Sequence, residues 1–117
     1  MKKIILLCLL LVLVLSSCEY EARICIKNNV HNAKLERVSW EDYSVAHSLM
    51  TGENAWITVR DWKDKFPKTS VVKFYMTRGG NQVYLETKYT FTLDIDDNLE
   101  IVISDTTQVR NPALQGK

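Results

Sequence analysis

Cysteine, histidine and glycine are scarce in this sequence, with three, two and four copies among its 117 residues. Cys8 and Cys18 lie within or directly after an apolar N-terminal run, which leaves Cys25 alone in the rest of the chain. No disulfide can therefore form within the domain that follows. Cys25 lies in the strand-like stretch RICIK and is typical of a small packed residue. A catalytic cysteine would need a histidine beside it, and both His31 and His47 lie in loop-like sequence.

Excess charge of one sign is also lacking. Without residues 1–17 the chain carries 13 Lys and Arg against 14 Asp and Glu, and its basic residues are scattered singly. Such a surface creates no strong positive potential, so nucleic acid is excluded as an expected partner.

Signatures of catalysis are absent as well. The sequence has no glycine-rich phosphate loop that opens a helix, no G-x-S-x-G motif and no cluster with metal-ligand spacing. A calcium-loop pattern is partly matched in DIDDNLEIVISD by Asp94, Asp96, Asn98 and Asp105. The segment after Asn98 alternates like a strand, however, and would carry Asp105 about 20 Å away from the turn. We therefore expect no enzyme activity, no cofactor and no metal site.

The long apolar run is confined to the N-terminus, where Lys2 and Lys3 precede the segment from Ile4 to Leu15. Crossing the hydrocarbon core of a bilayer takes about 20 apolar residues, and this run ends sooner. A positive start followed by a short apolar segment is the pattern of a secretory signal. We therefore expect a removable signal helix over residues 1–17.

The residues that end this run, Leu15, Ser16, Ser17 and Cys18, fit ordinary signal cleavage badly, because Leu15 occupies a position that needs a small side chain. They resemble the lipobox of bacterial lipoproteins. The resemblance implies that Leu15, Ser16 and Ser17 are read by the lipoprotein signal peptidase. It also implies that Cys18 becomes the first residue of the mature chain and carries acyl chains such as palmitate. Two or three acyl chains would hold the protein permanently at a bilayer.

The residues that follow the cysteine predict where the protein is located. Glu19 stands where an aspartate would resemble an inner-membrane retention signal, and Glu19 with Glu21 is similar to the export signal of Bacteroidota surface lipoproteins. The resemblance implies a cell-envelope protein anchored at the outer membrane. We expect residues 18–22 to form the lipidated N-terminus and tether, and residues 23–117 to form one domain.

Alternation of Val, Ile, Thr, Tyr and Phe recurs through the mature chain, whereas helical periodicity is missing. The predicted strands are Arg23–Asn28, Leu35–Trp40, Ala55–Asp61, Ser70–Arg78, Gln82–Asp94 and Leu99–Ser104, the fifth being one bent strand or two. Six or seven short strands in about 100 residues predict an all-β fold, a single two-sheet antiparallel β-sandwich of immunoglobulin-like type. The stretches RICIKNN, LERVSW, LMTGEN, VVKFYM and LEIVISDTTQVRNP are similar to small Bacteroidota lipoproteins with such domains, a resemblance that implies the fold and no activity.

Two hairpins are predicted within these strands. A type I′ turn at Gly79-Gly80 pairs Met76 with Val83, Phe74 with Leu85, Tyr75 with Tyr84 and Lys73 with Glu86. A turn at Gly80-Asn81 would leave each side chain on the same face of the hairpin but would lose the ion pair between Lys73 and Glu86. A three-residue loop at 96–98 would make the second hairpin, with Leu93 opposite Ile101 and Phe91 opposite Ile103.

The aromatic residues give the candidate binding face. In AWITVRDW, Ile57 and Val59 alternate with Trp56, Arg60 and Trp62. If the β-branched side chains face the core, the two tryptophans flank an arginine on the outside, a platform for a sugar ring or a partner's apolar patch. The alternative is that both tryptophans are covered by the DWKDKFPKTS loop or turned inward. Trp40, aligned with Val38, is expected in the core, and Tyr75 and Tyr84 complete the candidate face.

These observations predict a lipid-anchored, non-catalytic envelope protein that binds a glycan or a protein partner. The competing hypothesis is a structural accessory subunit of an envelope assembly, without a soluble ligand, which docks through exposed edge strands or through the aromatic face.

Overall fold

The computed structural model describes residues 19–115, and within them the chain forms ten strands and two short helical turns. The strands are β1 Tyr20–Asn29, β2 Lys34–Trp40, β3 Tyr43–Leu49, β4 Asn54–Asp61, β5 Lys68–Ser70, β6 Val72–Arg78, β7 Asn81–Thr87, β8 Phe91–Leu93, β9 Asn98–Ser104 and β10 Val109–Arg110. A 3-10 turn, Lys63–Lys65, follows β4, and α1, Pro112–Gln115, follows β10. No helix in this part of the chain is long and apolar enough to cross a membrane. The predicted signal helix, with Leu15, Ser16, Ser17 and Cys18, lies outside the described residues.

Two sheets form the layers of the sandwich. One has three strands in the order β4-β1-β9, and the other has five in the order β10-β7-β6-β2-β3, while β5 and β8 pair in a separate ladder. The inward side chains of the three-stranded sheet are Ala22, Ile24, Ile26, Val59, Ile101 and Ile103, and they join those of the five-stranded sheet, Leu35, Val38, Trp40, Val72, Phe74 and Leu85, in one hydrophobic cluster. Each large side chain buried there contributes about 1.5–3 kcal/mol to folding. The predicted all-β sandwich is confirmed.

Trp40 lies in this core, as predicted. It has no exposed surface, and its indole N–H donates to the carbonyl oxygen of Ser70 at 3.1 Å. A buried indole needs such a partner for its one polar atom.

The β6–β7 hairpin has the predicted register. Gly79 and Gly80 both have positive φ, 59° and 83°, as a type I′ turn requires. Tyr75 lies opposite Tyr84, and Phe74 lies opposite Leu85.

The ion pair expected within this hairpin is replaced by another. Lys73 lies opposite Glu86, yet the carboxylate of Glu86 pairs with Arg110 Nη2 at 3.1 Å. The reason is β10, a two-residue strand that the sequence did not predict, which places Arg110 beside Glu86 on the other side of β7.

The second predicted hairpin is wrong. Phe91 and Leu93 pair with β5, whereas β9 pairs with β1, and in parallel: Leu99 lies opposite Ile24, and Ile101 opposite Ile26. The face was predicted correctly, because Leu93 and Ile101 are both buried. Alternation fixes which side chains point inward and leaves the neighbouring strand undetermined.

Residues 19–115 form ten strands rather than the six or seven predicted, because several short strands carry little apolar signal. β3 has the polar sequence YSVAHSL, in which only Val45 and Leu49 are buried. His47 therefore lies in a strand and not in a loop. The first strand is longer than predicted, because β1 begins at Tyr20, three residues before the predicted start.

Candidate functional site

Trp56 lies on the outer face of the three-stranded sheet. On β4, Ile57 and Val59 point toward the core, so Trp56 points outward, and 58% of its surface is exposed. The guanidinium carbon of Arg23, on β1, lies 4.0 Å from the centroid of the Trp56 ring. This cation–π contact fixes the orientation of the indole while much of the ring stays open to solvent. We call Trp56 and Arg23 the Trp56 platform.

The surroundings of the platform are mostly polar. Cys25 lies directly opposite Trp56 on β1, with its surface half-buried, and Glu100 of β9 lies on the other side of Cys25. Further along β4, Arg60 Nε pairs with Glu21 Oε1 at 2.9 Å, and both side chains are largely exposed. Arg60 thus belongs to the same outer face as the platform but is held by an acidic partner.

Trp62 lies at the opposite end of β4 from Trp56. It follows Asp61, the last residue of the strand, and 48% of its surface is exposed. Six residues of extended chain separate the two indoles, a distance of about 20 Å. Both tryptophans are exposed, as one of the two predicted arrangements required, but they do not form a common surface.

Tyr75 and Tyr84 lie on the outer face of the five-stranded sheet, on the other layer of the sandwich. Their ring centroids are 5.2 Å apart, and the Arg37 guanidinium carbon lies 5.6 Å from the Tyr75 ring. The Tyr84 hydroxyl donates to Glu86 Oε1 at 3.1 Å. Burial and this carboxylate raise the pKa of the Tyr84 phenol. The structure therefore distributes the five candidate residues over three places: Trp56 with Arg60, Trp62 alone, and Tyr75 with Tyr84.

Lys68 was missed by sequence reasoning. Its side chain is only 8% exposed, and Nζ lies 2.8 Å from Asp61 Oδ2 and 3.4 Å from Glu41 Oε1. The rings of Tyr43 and Phe66 each lie 5.6 Å from Nζ. Nothing in the sequence distinguishes this lysine from its exposed neighbours.

The charges of this cluster stabilise one another. Burial alone would lower the pKa of Lys68, but the hydrogen bond to Asp61 and the charge of Glu41 outweigh burial and raise it. The hydrogen bond from Lys68, followed by that from the Trp62 backbone N–H, lowers the pKa of Asp61. The cluster fixes the end of β4 and hence the position of Trp62.

Among the hollows that indent the surface of residues 19–115, two lie at opposite ends of the sandwich. One of about 180 Å³ is lined by Glu21, Ala22, Arg23, Asp96, Asp97 and Asn98. A wider one of about 370 Å³ lies between His31, Asn32, Arg78 and Asp105 at the other end of the sandwich. Arg78 donates to the carbonyl oxygen of His31 at 2.7 Å, and the Asp105 carboxylate accepts from the His31 N–H at 3.2 Å.

Asp105 is therefore separated from the acidic turn with which it matched a calcium-loop pattern. The turn precedes β9, and Asp105 follows it. Among residues 19–115, no three side chains of His, Cys, Asp or Glu come together as metal ligands would.

No protein-family model, no curated protein and no solved structure matches this chain.

Proposed function

We propose that this protein is a lipid-anchored, non-catalytic binding protein of the cell envelope, tethered at the outer membrane through Cys18, which binds a glycan through the Trp56 platform. The anchor is supported by the Leu15 to Cys18 motif directly after a short apolar run. The observation that carries the glycan part is an indole with 58% of its surface exposed and with Arg23 at 4.0 Å.

The chemistry around Trp56 favours a glycan over a protein partner. A sugar ring has an apolar face of C–H groups and a rim of hydroxyls, which matches one exposed indole with charged side chains around it. Arg23 beside the ring, and the Arg60–Glu21 pair about 13 Å further along the same face, can donate to or accept from such hydroxyls. The core of a protein interface is depleted of charge and more extensively apolar than this surface.

The test is binding to an array of immobilised envelope and host glycans, followed by titration of each glycan that binds. Trp56→Ala is expected to weaken binding by at least about tenfold, which corresponds to 1.4 kcal/mol. Tyr89→Ala is the matched control, because Tyr89 is the most exposed large hydrophobic side chain of the described residues and lies on the loop between β7 and β8. Equal binding by Trp56→Ala and the wild type would contradict the proposal, as would an equal loss in the control.

A structural accessory subunit is the second candidate, and the outer edge of β9 favours it. β9 is the last strand of its sheet among the described residues, and Val102 on it is exposed. An unpaired edge with an apolar side chain can accept a strand from a partner. A photo-crosslinking residue at position 102, compared with one at position 89, tests this. A discrete adduct from position 102 alone, together with no glycan binding, would replace the first candidate with the second.

A further inference from the structure

We infer that the end of the sandwich where β1 begins lies directly against the membrane, with Tyr20 and Trp62 in the headgroup region of the lipid. The inference rests on the lipid anchor at Cys18 proposed above and adds the orientation of the domain to it. Its occupant is a bilayer surface.

The first argument is the short length of chain between Cys18 and β1. β1 begins at Tyr20, so only Glu19 separates the first strand from the cysteine that would bear the lipid. Two residues of fully extended chain span at most about 7 Å. A lipid on Cys18 therefore leaves no room for a layer of water several molecules deep between the bilayer and this end of the sandwich.

The position of the exposed aromatic residues carries the second step. Tyr20 lies opposite Asp61 in the β1–β4 ladder, and Trp62 directly follows Asp61. Tyr20 is 42% exposed and Trp62 is 48% exposed. Tyrosine and tryptophan are the side chains that favour the interface between lipid and water, because each has an apolar ring and a polar atom.

The backbone at Trp62 is fixed by its surroundings. Lys68 pairs with Asp61 directly before it, and the 3-10 turn after it begins with a hydrogen bond from the Lys65 N–H to the Trp62 carbonyl oxygen at 3.0 Å. A backbone that is already fixed loses little further conformational entropy when the Trp62 ring enters the headgroup region.

Charge does not provide the attraction. Lys63 and Lys65 are exposed near Trp62, but Glu19, Asp64 and the acidic turn before β9 belong to the same end, since the Asp96 N–H donates to the carbonyl oxygen of Glu21 at 2.8 Å. This end has no basic excess of the kind that binds anionic lipid. Contact is expected on zwitterionic lipid and should not increase when anionic lipid is added.

The same orientation leaves the Trp56 platform free. Trp56 lies about 20 Å along β4 from Trp62, at the end that points away from the bilayer. The two exposed tryptophans then have different roles, one toward lipid and one toward a ligand.

The experiment uses the full lipidated protein in phosphatidylcholine vesicles that contain lipid brominated near the headgroups, which quenches nearby indoles. Wild-type fluorescence is expected to fall, and Trp62→Phe should remove at least half of that quenching. Trp56→Phe is the matched control and should retain the quenching. The inference is overturned if Trp62→Phe is quenched as strongly as the wild type, or if the loss occurs in Trp56→Phe instead.

A second variant tests the tether directly. Ten Gly and Ser residues inserted after Glu19 should reduce the quenching of Trp62, because a flexible linker of that length spans about 17–19 Å on average. Undiminished quenching would contradict the role of the short tether.

Mass spectrometry of the N-terminal peptide separates the two possible failures. If Cys18 carries no lipid, the anchor fails and the inferred orientation fails with it. If Cys18 is lipidated and the protein stays with the vesicles but Trp62 is not quenched, the orientation alone is wrong.

Discussion

Asn28 is a polar side chain with no exposed surface, near the end of β1. Its Nδ2 donates to the carbonyl oxygens of Ala33 and Leu49, both at 2.9 Å, and its Oδ1 accepts from the Val30 N–H at 2.9 Å. One side chain thus joins the end of β1 to the loop before β2 and to the end of β3. The sequence gives no sign of this role, because asparagine in a strand is ordinarily read as a turn residue.

Asn28→Ala is expected to lower the free energy of unfolding by about 3 kcal/mol, since it removes three buried hydrogen bonds to the backbone. Urea denaturation measures the change. Asn29→Ala is the control, because Asn29 is exposed at the next position and should change stability by less than about 0.5 kcal/mol. Equal effects of the two substitutions would show that the Asn28 contacts do not stabilise the fold.

Lys68 gives a prediction that depends on pH. Lys68→Met keeps the packing against the aromatic rings and removes the charge. It is expected to lower the free energy of unfolding by about 2 kcal/mol at pH 7. This is less than for a fully buried pair, because the carboxylates of Asp61 and Glu41 are about a quarter exposed and keep contact with water.

The direction in which stability changes with pH follows from the pKa of Asp61, which is lowered in the folded state. The stabilisation from its pairing is present above the ordinary value of 3.8 and is lost as the pH falls through the lower folded value. Thermal unfolding from pH 7 to pH 2 should therefore show the wild type approaching Lys68→Met in stability below pH 3.8. A difference that stays constant over this range would contradict the assignment, and Lys65→Met, at an exposed lysine, should have little effect throughout.

At the scale of elements, the sequence predicts best where turn chemistry and alternation agree. The β6–β7 hairpin was predicted to the residue, because Gly79-Gly80 allows a type I′ turn and that turn sets the register. The neighbours of β8 and β9 could not be predicted, since their pairing partners β5 and β1 are distant in sequence. In β2, Leu35 and Val38 break strict alternation because a bulge with positive φ at Arg37 inserts an extra residue between them.

The hairpin turn offers a test of backbone strain alone. No atom lies within 4 Å of where a Cβ would stand on Gly79 or Gly80, so a side chain fits at both. Gly80 has φ 83°, outside the region that asparagine favours. Gly80→Ala should lower the free energy of unfolding by about 1 kcal/mol. Gly79→Asn should be nearly neutral, because φ 59° is the left-handed conformation common for asparagine. Urea denaturation of both variants checks this, and an equal cost at the two positions would contradict it.

At the scale of the whole molecule, the exposed aromatic residues are sorted by the two layers and by the two ends of the sandwich. The sequence predicted that Trp56, Arg60 and Trp62 share one side of an alternating strand. Both tryptophans are exposed, but Trp62 lies beyond the end of β4 and apart from the other two. The sequence could not predict that Tyr75 and Tyr84 lie on the other layer, because the order of strands decides which face each hairpin presents. The contact of Arg23 with Trp56 could not be predicted for the same reason, because Arg23 lies on β1 and Trp56 on β4.

The central position of β1 has a mechanical consequence. β1 pairs with β4 on one side and with β9 on the other along most of its length, and it is the strand nearest to Cys18. With a lipid on that cysteine, a force between the bilayer and a ligand on the Trp56 platform pulls β1 along its own axis against β4, the strand that carries Trp56. The β1–β4 ladder then resists in shear, and its hydrogen bonds have to break together rather than one by one. The domain is therefore expected to withstand tension between its anchor and its ligand better than one attached through an edge strand.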